Sequence, residues 1–260
     1  MREKYGVDAP GVTQTFALLG AVITLAIWPV HAAVQAWWAR PAAVVVTTVL
    51  ALAALTFWTQ CGWMLYSSLV AKRRLWRQTL DALTLRGDER VLEAGPGRGA
   101  VLMTAARRIP DGHLVGVDIW RTQDQSGNGR DALLANARSA GVAARVEVVD
   151  GDMRDLPFAD REFDLALASL AIHNLPPADR ATAVTELLRV LKPGARVVIL
   201  DFQGTAGYAD ALRRAGAEEV RLSARNWSMH PPVRVVTATA PAVRSGQSLP
   251  RHLDGKRQLR

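Results

Sequence analysis

Residues 91–99 read Val-Leu-Glu-Ala-Gly-Pro-Gly-Arg-Gly: a short apolar strand, three glycines at alternate positions, then a helix-forming run. Glycine is needed where a backbone turns sharply and lies directly against a ligand, because it has no Cβ to collide. A strand that stops in such a turn at a helix N-terminus offers free N–H groups to a bound small molecule. Gly95, Gly97 and Ala100 also satisfy the spacing of a dinucleotide-binding turn. This stretch alone therefore leaves the ligand open.

Working outward, His113-Leu-Val-Gly-Val-Asp118 is an apolar run that follows the turn signal Asp111-Gly112 and ends in a carboxylate. Asp118 stands about twenty residues past the glycine turn, where an acidic side chain can accept hydrogen bonds from both hydroxyls of a ribose. A strand-end aspartate that caps its own loop is the alternative. Three further segments follow. Arg145-Val-Glu-Val-Val-Asp-Gly-Asp152 precedes Met153 and Asp155-Leu-Pro-Phe158, Phe163-Asp-Leu-Ala-Leu-Ala-Ser-Leu170 precedes Ala-Ile-His173-Asn174, and Leu191-Lys-Pro-Gly194 leads into Ala195-Arg-Val-Val-Ile-Leu-Asp201. The stretches VLEAGPGRG, VGVDIW, GDMRDLPF, FDLALASLAIHN and LKPGARVVILDF, in this order, resemble the class I S-adenosylmethionine (SAM)-dependent methyltransferases over residues 75–240. The likeness is greatest to the quinone-type and small-molecule members that share D-x-x-x-L-P-F.

The resemblance implies SAM as cofactor and a role for each matching position. Glu93, Gly95, Gly97 and Gly99 would surround its methionine part, Asp118 would take the ribose hydroxyls, and Ile119 would lie against the adenine. Asp152 would hold the adenine amino group, Met153 would pack on the ring, and Ser169 would sit near the sulfonium. One departure stands out: Trp120-Arg-Thr-Gln-Asp-Gln-Ser-Gly-Asn-Gly129 is a longer polar loop than relatives carry there. It either closes over the site or is simply solvated.

Strands alternate with helices from residue 91 to about 201, which predicts an α/β fold with a parallel sheet covered on both faces. Helices are expected over 100–108, 130–140, 178–191 and 208–215, and Pro193-Gly194 reads as a helix stop. Right-handed crossovers make the sheet doubly wound and Rossmann-like. The sixth strand is expected near 219–223. The seventh, near 233–240, would by the resemblance lie antiparallel between the fifth and sixth.

The N-terminal part is different in kind. No charged residue occurs between Asp8 and Arg40, or between Arg40 and Lys72. Each gap exceeds the ~20 residues a helix needs to cross a ~30 Å hydrocarbon layer. Trp28, Trp37, Trp38, Trp58 and Trp63 lie here, several near the expected ends, as interface anchors do. Two transmembrane helices are expected, about 16–38 and 42–66, giving a membrane anchor over 1–71, a catalytic domain over 72–240 and a basic disordered tail over 241–260. A signal peptide and a pair of buried soluble helices are the rivals to this reading. Arg2, Lys4, Lys72, Arg73, Arg74 and Arg77 flank the pair while Arg40 alone sits between, so the positive-inside rule puts both ends and the catalytic domain in the cytoplasm of a two-span cell-membrane protein.

Cys61, the only cysteine, falls inside the second run, so neither a disulfide framework nor a zinc set is expected. All but one unit of the net charge of +8 lies beyond residue 71. Without a nucleic-acid motif, those basic residues suit anionic lipid headgroups better than DNA or RNA. His173 is the candidate base, since an imidazole titrates near neutral pH; a hydrogen-bonded structural histidine is the alternative. Asn174 is placed to orient an acceptor, His230 and Trp227 to line the same mouth, and His31 reads as a packed helix residue. A helix over 69–83, with Leu75, Trp76, Leu80 and Leu83 on one face, would cover the cleft and hold its mouth at the bilayer, with Lys72, Arg73 and Arg77 on headgroups. The expected acceptor is a small, membrane-partitioned molecule. A soluble acceptor, a cofactor-binding protein without catalysis and a nicotinamide oxidoreductase are the alternatives.

Overall fold

A computed structural model describes residues 5–38, 40–121 and 123–242. Arg2, Lys4 and the tail beyond residue 242 lie outside the described residues. Two long helices, α1 (Pro10–Trp37) and α2 (Arg40–Tyr66), pack on one another as an antiparallel pair. Gly20 lets them meet closely: a Cβ there would come within 3.1 Å of the Trp58 ring. His31 is a packed residue, its Nδ1 2.7 Å from Thr47 Oγ1. Both helices are long and apolar enough to cross a membrane, and only 6% and 11% of their most apolar windows are buried. Leu25, Trp28, Trp37 and Trp38 are each more than three-quarters exposed.

The helix over 69–83 differs from expectation. It continues α2 through a π turn, Ser67–Ala71, into α3 (Lys72–Asp81), and Leu83 lies beyond its end. Leu75, Trp76 and Leu80 are buried against the α/β sheet's core, and Arg73, Arg74 and Arg77 are exposed. Lys72 is the exception to the headgroup assignment. It is 6% exposed and its ammonium lies 2.7 Å from Asp8. Asp8 and Lys72 are the charges bounding the two apolar runs, and an antiparallel pair necessarily brings those outer ends together.

The α/β domain alternates β1 (Arg90–Ala94), α4 (Ala100–Ala106), β2 (His113–Asp118), α5 (Arg130–Ser139), β3 (Val146–Asp150), β4 (Phe163–Ser169), α6 (Arg180–Arg189), β5 (Leu191–Asp201), α7 (Thr205–Arg214), β6 (Glu218–Leu222) and β7 (Arg234–Thr239). The sheet order is β3-β2-β1-β4-β5-β7-β6. β7 is antiparallel between β5 and β6, and the first five strands are parallel. Successive residues of a strand face opposite sides, and here both sides are apolar. Leu92, Ala166, Ala168, Val197 and Ile199 join Leu187 and Tyr208 in one core, while Val91, Leu165, Leu167, Val198 and Leu200 join Trp76, Leu102 and Leu133 in the other. Pro193-Gly194 does not end α6, which stops at Arg189; Leu191 already pairs with Phe163 across a bulge at the start of β5. Chain order reverses between β1 and β4, which opens a crevice at their carboxyl ends.

Candidate active site

The glycine turn leaves β1 at that crevice. Gly95, Gly97 and Gly99 have φ of 71°, 53° and 79°, a region costly for other residues. Space is equally restrictive: a Cβ at Gly95 would lie 2.5 Å from that of Ala171, and one at Gly97 2.5 Å from Gln125 Oε1. Asp118, at the end of β2, accepts the Gly97 N–H (3.0 Å) and the Trp120 N–H (2.8 Å). Burial raises its pKa, and those N–H groups work against the rise.

A cleft of about 700 Å³ runs past this turn. Glu93, Gly95, Gly97, Asp118, Ile119, Met153 and Ser169 all line it. Gly99 and Asp152 do not. Gly99 packs against Leu133 at the start of α4, and the Asp152 carboxylate is drawn to Arg154 at 2.6 Å, which also binds Asp179. Ser169 Oγ accepts the indole N–H of the fully buried Trp76 at 2.8 Å. Glu93 is 1% exposed and its Oε2 has no partner. Burial pushes this carboxyl up to about 8, with Lys72 acting in the opposite direction.

The loop over 120–129 is no free surface feature. Arg121, Asp124, Gln125 and Asn128 line the cleft, and the loop is tied to the strap that precedes α1. Val7 and Ser126 exchange hydrogen bonds, the Val7 N–H reaching Ser126 Oγ (2.8 Å) and the Ser126 N–H reaching the Val7 carbonyl (3.1 Å). Gln125 accepts the Arg98 N–H at 2.8 Å and donates its amide to Asp8 at 3.1 Å.

A second hollow, about 690 Å³, adjoins the first and shares Asp8, Asp124, Leu170 and Asn174 with it. Its other walls include Met64 of α2, Ser67 and Ser68 of the π turn, His173 and Phe202 after β4 and β5, and Met229 and His230. His230 stacks on Trp63 with centroids 4.9 Å apart, its N–H bonds Ser67 Oγ at 3.0 Å, and burial lowers its pKa. Trp227, expected at this mouth, is 63% exposed and does not line it. His173 Nδ1 lies 2.8 Å from the fully buried Asp201, a close contact without the alignment of a hydrogen bond. Asp8, Lys72, Gln125 and Asp201 escape a reading of motifs because each acts across chain separations that carry no spacing rule.

Residues 91–194 match the methyltransferase domain family. Over this segment the chain is similar to the class I SAM-dependent methyltransferases. The chain is 35% identical over 131 residues to the ubiquinone/menaquinone biosynthesis C-methyltransferase UbiE of Pseudomonas entomophila (strain L48), covering 50% of this chain and 48% of that protein. The chain thus spans about half the length of the curated relatives it matches. The domain's fold is shared with the [4+2]-cyclase SpnF (TM-score 0.56, 20% identity, 65% of this chain and 82% of that one). It is shared too with geranyl diphosphate C-methyltransferase from Streptomyces coelicolor A3(2) (TM-score 0.51, 16% identity, 64% and 80%). The residues of the cleft suit SAM on their own geometry: a glycine turn with no room for a Cβ at Gly95 or Gly97, the Asp118 carboxylate at the end of β2, and a buried Glu93 oxygen without a partner. Among the described residues no cluster suited to a metal ion occurs.

Proposed function

We propose that the chain is a membrane-anchored SAM-dependent methyltransferase acting on a small lipophilic acceptor. The observation that carries this reading is the second hollow. It shares four residues with the cofactor cleft, and one of its sides is the last turn of α2 with the π turn behind it. An acceptor dissolved in the bilayer would meet that side first. The exposed apolar faces of α1 and α2 support lipid as their surroundings. The printed name of the UbiE relatives, which concerns quinone biosynthesis, agrees with an apolar acceptor. On this reading residues 1–71 are the anchor, 72–240 the catalytic domain, and that domain faces the cytoplasm with Arg73, Arg74 and Arg77 at the headgroups.

Bound SAM supplies an electrophilic methyl group. Asp118 would hold the ribose hydroxyls, Ile119 and Met153 would flank the adenine, Glu93 and the glycine turn would surround the methionine end, and Ser169, at the carboxyl end of β4, would lie on the side of the methyl group. Asp152, paired with Arg154, would hold the adenine amino group. The walls of the two hollows align the reactants and exclude water, which is most of what an in-line displacement needs. His173 takes the acceptor's proton on the ring nitrogen turned away from Asp201, and the Asp201 carboxylate stabilises the imidazolium that forms. Asn174, at the junction of the hollows, orients the acceptor.

Equilibrium binding of SAM and NADH to the purified full chain in lipid nanodiscs, followed by a methyl-transfer assay, tests this. SAM binding with turnover is expected. NADH binding alone would make it an oxidoreductase, and SAM binding with no transfer to any fraction would make it a silent binder.

A further inference from the structure

Lys72 lies outside the matched methyltransferase domain, yet it lines the cofactor cleft together with Glu93, Gly95 and Gly97. The π turn at Ser67–Ala71 aims it there. Such insertions into a helix re-aim side chains and occur often at functional sites, and this one buries Ser67, Ser68, Ala71 and Lys72 on the catalytic side. The Lys72 ammonium meets both Asp8 oxygens, at 2.7 and 2.8 Å. An ammonium has three donors, so one remains beyond that pair. Asp8 is itself held on the strap, by the Gln125 amide at 3.1 Å and by its own N–H to Ser68 Oγ at 3.1 Å.

We infer that Lys72 is the cation that receives the carboxylate of the cofactor's amino-acid end, so that the hairpin completes the cofactor site rather than merely tethering it. The inference rests on the SAM reading above. The amino-acid end of SAM carries one carboxylate and one ammonium. The cleft answers with one buried cation, Lys72, and, among its carboxyl groups, with Asp8 beside that cation and Glu93, whose Oε2 has no partner. The Asp8–Lys72 pair leaves an ammonium hydrogen for a carboxylate, which a neutral ligand end would not use. Lys72 opens α3, one π turn beyond α2, and Asp8 lies on the strap just before α1, so a cofactor that engages Lys72 would bridge the α/β domain to the outer ends of both helices.

Lys72→Met keeps the length of the side chain and removes its charge. The full chain in nanodiscs is titrated with S-adenosylhomocysteine, which has the amino-acid end, and with 5′-methylthioadenosine, which lacks it. The variant should bind S-adenosylhomocysteine roughly 10- to 100-fold more weakly, the range for a lost charge-assisted hydrogen bond. Its affinity for 5′-methylthioadenosine should stay within twofold of wild type, which also reports that the cleft is intact. Unchanged affinity for S-adenosylhomocysteine, or equal weakening of both ligands, would overturn the assignment while leaving the SAM reading standing. A wild-type chain that bound neither would overturn both.

Discussion

His173 Nδ1 and Asp201 Oδ1 lie 2.8 Å apart at the carboxyl ends of β4 and β5, neighbouring strands of the sheet. Asp201 also accepts the backbone N–H of His173 (3.1 Å) and of Phe202 (2.8 Å), together with the Tyr208 hydroxyl (3.3 Å). Burial, and then the Asp201 charge, push the Tyr208 phenol far up, so it stays a donor. The carboxylate thus fixes the turn that carries the imidazole as well as lying beneath its ring. His173→Ala should lower kcat by ~10²–10⁴-fold, the usual worth of a positioned base, and leave SAM affinity within twofold. Asp201→Asn should lower kcat less. Steady-state kinetics with an unchanged kcat in His173→Ala would leave the histidine a structural residue.

If Asp118 holds the ribose, Asp118→Ala should weaken SAM binding by ~1.5–3 kcal/mol, the range for lost charge-assisted hydrogen bonds. Calorimetry on a variant with wild-type thermal stability measures it. Unchanged affinity would remove Asp118 from the site.

Glu93 gives a pH dependence of known sign. Its carboxyl is raised from an ordinary value of 4.5 to about 8 by burial. Below about 4.5 the folded and unfolded chains both hold the proton and the contribution to stability is complete. As pH rises toward 8 the unfolded chain releases the proton and the folded one keeps it, so stability is lost across that window and levels off above it. Without cofactor, the Tm of wild type should therefore fall relative to that of Glu93→Gln between pH 5 and pH 8. A difference that stays constant over this range would contradict the buried, protonated state.

The topology makes a prediction independent of chemistry. Reporters placed beside Lys4 and after Arg260 should be cytoplasmic, and a tag at Arg40 should be reachable from outside sealed cells. A protected tag at Arg40 would argue against the hairpin.

Much of this was legible in the sequence because it is local. Strand β1 and its glycine turn, the carboxylate that ends β2 and the charge-free runs of the hairpin are each written in consecutive residues. The antiparallel place of β7 came from the family likeness and not from any pattern within 233–240. Helix ends were read a few residues too long, as at 178–191, because Pro193-Gly194 resembles a helix stop although Leu191 is already in β5. Lys72 was assigned to headgroups by its place in a basic run. Only the three-dimensional pairing with Asp8, across 64 positions, turns it into the cleft. Asp152 matches its motif, but its carboxylate is committed to Arg154, a neighbour that no motif describes.

The central claim, methyl transfer to an acceptor that resides in the membrane, is met most directly by following the methyl group. Membranes containing the protein are incubated with methyl-labelled SAM, then separated into organic extract, aqueous metabolites and protein, with a His173→Ala membrane as control. Label should accumulate in the organic extract and fall away in the control. Label confined to the aqueous or protein fractions, with the extract blank, would contradict the account.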